Sequence, residues 1–229
     1  FCSFLLHSCT QKYIKSELEL HDPYEQLNRP VFYFNQGFDE YILEPTVVVY
    51  DQLPETLKTG ISSHIKWVST PSTIFNSGLQ MDGENFALSS IKFLLNSLTF
   101  GLYDLDKETN FKKLDFGSTL ANYDVSSGPY IVVPFFGPRS LRHFVGEITD
   151  YSLPNNMVSY DYDMISTPLN IIDTRNRYSN VIKDINESQD PYIKAKVLYQ
   201  VNRSNQITTL SEKIKRNDKE QEDFEKLLD

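Results

Sequence analysis

Cysteine is almost missing from this 229-residue chain: Cys2 and Cys9 are the only two, both ahead of residue 10. The rest of the sequence therefore offers no disulfide, no thiolate metal site and no cysteine nucleophile. Histidine is nearly as scarce. His7, His21, His64 and His143 never share the i, i+4 spacing that puts two ligands on one helical face, so no metal site is expected. Positive charge is in deficit, with 22 basic against 31 acidic residues and a net charge of −9, which argues against a nucleic-acid partner because phosphate binding needs a concentrated basic face. Long apolar runs are also lacking. The longest, residues 130–136, has seven residues and is interrupted by Pro134, far short of the roughly 20 that a spanning helix needs. There is no internal repeat.

What the chain does have is aromatic: 14 Tyr and 15 Phe beside a single Trp. That supply suits either an aromatic core or an apolar surface with wet edges, such as a bilayer interface. The start, Phe-Cys-Ser-Phe-Leu-Leu-His-Ser-Cys, looks like the end of an apolar signal segment whose basic beginning is missing. Leu6-His7-Ser8-Cys9 resembles a bacterial lipobox, with Cys9 as lipid acceptor. Acylation there would anchor the chain, each buried CH₂ contributing about 0.8 kcal/mol.

The remainder reads as helices. Asp22-Pro23-Tyr24-Glu25 has the form of a helix start, with Asp as N-cap, Pro at N1 and Glu at N3. Leu27, Val31, Phe34, Phe38 and Tyr41 then recur at helical spacing until Pro45. Pro54 starts a helix with Leu57, Ile61 and Ile65 on one face, and Pro71 a short third. Asp82-Gly83-Glu84 opens a longer helix lined by Ala87, Ile91, Leu94, Leu95 and Leu98, which Gly101 closes. Residues 102–127 read as loop. Gly128, Pro129, Pro134, Gly137 and Pro138 then break the helical pattern, and the prolines exclude a central strand. Over 139–151 the faces separate, with Leu141, Phe144, Val145 and Ile148 opposite Arg139, Arg142, His143, Glu147 and Asp150. Helical spacing returns through Ile165, Leu169, Ile172, Tyr178, Val181, Ile182 and Ile185, and Asp190-Pro191 starts a helix with Ile193, Val197 and Val201. The fold class is all-α, with short extended Pro/Gly-rich connectors.

Asp22-Pro23-Tyr-Glu-Gln-Leu-Asn28-Arg29-Pro-Val-Phe32-Tyr-Phe34-Asn35 resembles the opening signature of the VacJ/MlaA lipoproteins. Further blocks follow in order: residues 76–80, Lys92-Phe-Leu-Leu-Asn96-Ser97, Phe116-Gly117-Ser-Thr119-Leu120, Gly128-Pro129-Tyr130-Ile-Val-Val-Pro134-Phe-Phe-Gly137-Pro138-Arg139-Ser-Leu-Arg142, and Asp190-Pro191-Tyr192. Where the family usually has glycine, this chain has Met81, Ala121 and Asp124; it has His143 in place of an acidic residue and Thr70-Pro71 in place of Glu-Pro. The loop around residue 121 is therefore expected to be shaped differently here.

The resemblance implies a residual signal peptide over 1–8, a lipidated linker over 9–21, one helical domain over 22–205 and a charged tail over 206–229. It implies a ring-like lipoprotein in the inner, periplasmic leaflet of a Gram-negative outer membrane, removing misplaced phospholipid from the outer leaflet and so maintaining lipid asymmetry. A trimeric porin and a soluble periplasmic lipid carrier are the implied partners; no cofactor is implied beyond the covalent lipid on Cys9. In that reading Gly128, Pro129, Tyr130, Pro134 and Gly137 shape the passage, or else form a rigid connector.

Other residues have competing readings. Arg139 and Arg142 suit phosphate headgroups, or else pair locally with Glu147 and Asp150 on a solvated face. Phe32, Phe34 and Phe38 either face lipid or the channel or lie in the core, and the core is the expectation, since aromatics at helical spacing usually are there; Asn35 either lines a wet surface or is a satisfied buried amide. An enzymatic alternative would use Ser140 or Ser152 with His143 and Asp150, but no Gly-x-Ser-x-Gly elbow is present. A second alternative is an anchored structural or interaction protein that moves no lipid.

Overall fold

The computed structural model describes residues 22–152 and 160–207, with 160–165 described by backbone alone. Cys2, Cys9 with its lipobox, His7, His21, the divisions at 1–8 and 9–21, and the tail from residue 208 lie outside the described residues. The chain runs through α1 (Glu25–Phe38), a π-helical turn (Asp39–Leu43), α2 (Glu44–Asp51), α3 (Glu55–Leu79), α4 (Gly83–Ser97) and α5 (Phe116–Asn122). A hairpin of β1 (Tyr130–Val133) and β2 (Gly137–Ser140) follows, then α6 (Leu141–Ser152), α7 (Tyr160–Arg177), α8 (Ser179–Asn186) and α9 (Pro191–Gln206).

Several elements differ from the sequence expectation. Asp22 is not the N-cap of α1, which starts from Tyr24 without a side-chain cap. Its carboxylate instead accepts from Asn28 Nδ2 (2.9 Å), Tyr192 Oη (2.5 Å) and Lys196 Nζ (3.0 Å), so it ties α1 to α9. Pro71 starts no new helix; it lies inside the 25-residue α3. A helix keeps an interior proline when its neighbours re-satisfy the freed backbone groups.

Part of the expected loop at 102–127 is α5, held at its start by a reciprocal cap in which Asp115 accepts from Ser118 N and Ser118 Oγ accepts from Asp115 N. Ala121 is a buried residue of that helix, and Asp124 follows it at φ 59°. The Pro/Gly-rich segment does pair, among the described residues with itself, in the antiparallel register Tyr130↔Ser140 to Val133↔Gly137. Arg139 belongs to β2 and not to the helix.

The predicted helix at 83 stands as read, with the Asp82 side chain accepting from Asn85 N and Gly101 at φ 70° beyond its end. Its apolar face points outward. Ile91, Leu94 and Leu98 are exposed by 52%, 66% and 76%, whereas Asn85, Ser89 and Asn96 are buried. The same inversion recurs elsewhere. On α3, Thr70, Thr73, Asn76 and Ser77 point inward, as does Gln80 just past its end; on α6, Arg142 is buried while Leu141, Val145 and Ile148 face out; on α9, Gln200 and Arg203 are inside while Val197 and Val201 are outside. Among the described residues, 17 buried side chains are polar or charged and 10 are apolar, so the interior is joined chiefly by hydrogen bonds. Among the described residues, a buried apolar cluster sits where α1, β1 and α9 meet: Phe32, Tyr130, Val132, Tyr192 and Ala195.

Candidate functional site

Two polar seams form the interior. In the first, α4 folds back on α3 through Asn85, whose amide donates to Ser77 Oγ (2.8 Å) and Lys112 O (3.0 Å) and accepts from Lys112 N (2.7 Å). Trp67 stacks on Phe93 and donates to Ser97 Oγ at 3.0 Å. The second seam joins α3, α5 and α6 at Asp150, which accepts from Ser72 Oγ (2.8 Å), Asn76 Nδ2 (2.8 Å) and Phe116 N (2.7 Å). Thr119 Oγ1 donates to Asn76 Oδ1 at 2.7 Å, and the Gln80 amide reaches Ser118 and Thr119. Burial raises the Asp150 carboxyl above the usual carboxylate range, with these hydrogen bonds acting in the opposite direction.

Helix α9 adds charge. Arg203 grips Asp115 with both terminal nitrogens, at 2.5 and 2.7 Å, and only 5% of the arginine is exposed. Burial pushes the Asp115 carboxyl up, but the hydrogen bonds and charge of Arg203 outweigh it and hold it below its ordinary value. Tyr199 Oη accepts from Ser140 N at 2.7 Å, leaving its proton for His143 Nδ1 at 3.1 Å. Burial, then the charges of Arg203 and Arg139, push His143 down to about 3, so its 3.5 Å approach to Glu147 is the contact of a neutral ring. A small pocket of about 30 Å³ lies here, lined by Ser140, Arg142, Gln200 and Arg203 among others.

The signature residues gather in two places. Asp22, Asn28, Arg29, Phe32 and Tyr130 meet at the buried cluster, where Arg29 pairs with Asp190 and lies 4.5 Å from the centre of the Tyr192 ring. Pro23 is exposed just ahead of α1. Phe34, expected in the core, is 52% exposed and meets Phe135 of the hairpin tip edge-on, as Phe38 does. Asn35 bonds that tip. Phe116 and Gly117 stand apart, at the Asp150 seam.

Gly128 and Gly137 supply left-handed φ values of 67° and 75° at the two ends of the hairpin, Pro129 precedes β1, and Pro134 is exposed in the turn. Arg139 is engaged by Glu147 at 2.6 Å, and Arg142 by the Val125 carbonyl. The residues of the enzymatic alternative are occupied differently: Ser140 Oγ accepts from His143 N, Ser152 Oγ donates to Ile148 O, and Asp150 joins α3 to α5.

Sequence reading missed Asp115, Tyr199 and Arg203, together with the inward role of Asn85 and Ser89. Asn85, Ser89 and Asn96 do carry a signal, a polar stripe at helical spacing.

The exterior is as distinctive as the interior. Leu27, Tyr41, Val49, Met81, Leu94, Leu98 and Phe100 are each at least 66% exposed. No described helix is long and apolar enough to cross a membrane.

The family described as MlaA lipoprotein matches residues 20–206. An uncharacterised protein of Rickettsia typhi is 34% identical over 188 residues, covering 77% of this chain and 74% of the relative. The intermembrane phospholipid transport system lipoprotein MlaA of Escherichia coli K12 is 30% identical over 188 residues, covering 78% and 75%. A solved structure, reported as the structural basis for maintenance of bacterial outer membrane lipid asymmetry, superposes with a TM-score of 0.72 at 29% identity, covering 81% of this chain and 98% of that one. This chain belongs to the MlaA lipoprotein family.

Proposed function

We propose that this protein sits in the outer membrane and carries phospholipid out of the outer leaflet toward a periplasmic acceptor, so maintaining lipid asymmetry. The observation that carries the reading is the inverted polarity, with apolar side chains of α3, α4, α6 and α9 outside and their polar partners within. Acyl chains are the medium in which such a surface costs nothing, while the polar interior is satisfied by its own hydrogen bonds. The named relatives act in intermembrane phospholipid transport. Cys9 as lipid acceptor, a seat in the periplasmic leaflet, a trimeric porin as neighbour and a soluble carrier as recipient complete the proposal.

The test is the amount of outer-leaflet phospholipid in the native bacterium, read with a membrane-impermeant label, with and without the gene. A rise on deletion, reversed by the wild-type gene and not by Cys9→Ala, is expected. An unchanged outer leaflet would instead favour an anchored protein that moves no lipid.

A further inference from the structure

The small pocket beside β2, α6 and α9 is walled by two buried guanidinium groups. Arg142 is 7% exposed and Arg203 5%, and Ser127, Ser140 and Tyr199 bring hydroxyls to the same space. No carboxylate lines it among the described residues; Asp115, which pairs with Arg203, stands outside the lining. Its volume of about 30 Å³ holds roughly one or two water-sized particles and cannot enclose a phosphate group.

Two buried donors of this wall lack an acceptor. Arg203 spends its terminal nitrogens on Asp115 and Gln206, while its Nε is buried without a hydrogen-bond partner. Ser140, 3% exposed, accepts from His143 N at 3.2 Å through Oγ, and its own proton meets no acceptor among the described residues. Such donors are rare inside folded proteins, and a bound water or ion is the usual reason for one. Water must also place two protons of its own, whereas an anion only accepts, which suits a wall of guanidinium and hydroxyl donors. The local field agrees. His143 touches both Ser140 and Tyr199, and burial, then the charges of Arg203 and Arg139, push it down to about 3, with Asp115 acting the other way.

We propose that this pocket binds a small inorganic monovalent anion, chloride being the abundant one, through Arg203 Nε and the Ser140 hydroxyl beside the Arg142 guanidinium. Bound there, the anion joins α9 to β2 and α6 and completes the hydrogen bonding of their buried contact. The site is separate from lipid transport and does not depend on that reading.

The experiment follows the thermal midpoint of the full lipidated chain in uncharged detergent at neutral pH, with chloride replacing gluconate, which is too large for the pocket. Ionic strength is held constant, so that binding is read apart from screening. Raising chloride from about 1 to about 100 mM is expected to raise the midpoint by at least about 3 °C, and bromide to act alike. Ser140→Ala removes one donor and is expected to need about tenfold more chloride for the same rise. His143→Asp sets a carboxylate against the positive wall and is expected to abolish the chloride response. Each variant is read against its own midpoint in gluconate, so a change in basal stability does not enter.

A wild-type midpoint indifferent to chloride overturns the site. An equal rise when phosphate replaces gluconate marks a general salt effect and overturns the small-anion reading. A full chloride response kept by both variants puts the anion elsewhere and overturns the assignment to this pocket. Should either variant not fold, crystals of the wild-type protein soaked in bromide decide: an anomalous peak between Arg203 and Ser140 supports the site, and a map without one there overturns it.

Discussion

Gly146 of α6 crosses Gly117 of α5 so closely that a β-carbon on Gly146 would stand 2.2 Å from the Gly117 nitrogen. This backbone-on-backbone approach brings Asp150, one turn further along α6, within reach of Phe116 N, Ser72 and Asn76. Nothing at the crossing is a flexible side chain that could swing away. Gly146→Ala is expected to destabilise the protein by at least about 3 kcal/mol in detergent unfolding titrations. Gly37→Ala, where a β-carbon meets nothing within 4 Å, is expected to stabilise α1 by about 0.5–1 kcal/mol.

Two of the bidentate arginine pairs, Arg203–Asp115 and Arg29–Asp190, differ in burial, and burial sets their worth. Arg203→Met strands Asp115 inside the protein and is expected to cost about 3–5 kcal/mol. Arg29→Met breaks a pair whose side chains are 30% and 40% exposed, and is expected to cost at most about 1 kcal/mol. Equal losses in the same titration would refute this ordering.

His143 sets an acid limb. Its folded value of about 3 lies below the ordinary 6.5, so the unfolded chain takes up the proton first, and stability present above pH 6.5 is lost as pH falls toward 3. Asp150 works the other way, because a raised carboxyl favours the folded state as pH falls. Asp115, held low, loses its contribution only below its ordinary 3.8. In thermal midpoints taken from pH 7 to 4, His143→Gln is expected to flatten the acid-side loss, and Asp150→Asn to steepen it.

Met81 and Asp124 adopt φ of 55° and 59°, a region that costs a residue with a β-carbon about 1–2 kcal/mol. Met81→Gly and Asp124→Gly should each raise stability by about 1 kcal/mol, and the double variant by their sum. A lower unfolding midpoint in either single variant would show that the side chain contributes more than its backbone strain costs.

How far the sequence discloses this protein can be seen in α4. Its helical period, its Asp82 cap and the separation of Ile91, Leu94 and Leu98 from Asn85, Ser89 and Asn96 are all legible in the residues. Which face turns inward is not, because periodicity fixes the angle between two faces and the surrounding medium decides which one is buried. The same ambiguity placed Phe34 in a core from which it is absent. Asp22 misled for another reason: it stands where an N-cap stands, but Tyr192 and Lys196, about 170 residues away, compete for its oxygens. Helix α5 escaped notice because seven residues carry little period, although Asp115 and Ser118 sit at the spacing of a cap. Asn28 and Asn35 were visible as a motif, while their purpose needed the hairpin in place.

The π-helical turn at Asp39–Leu43 marks where this chain tolerates a change of length. A π-turn is an α-helix with one residue inserted, so removing exposed Tyr41 relaxes it to a plain helix and leaves Tyr50 of α2 facing Asp173, its 3.0 Å partner. Removing Leu94 from α4 has no such outlet: it turns Asn96 by about 100° relative to Asn85 and Ser89, splitting the polar stripe between two media. Natural length variation among relatives should therefore collect at the π-turn and avoid the helices whose polar faces meet.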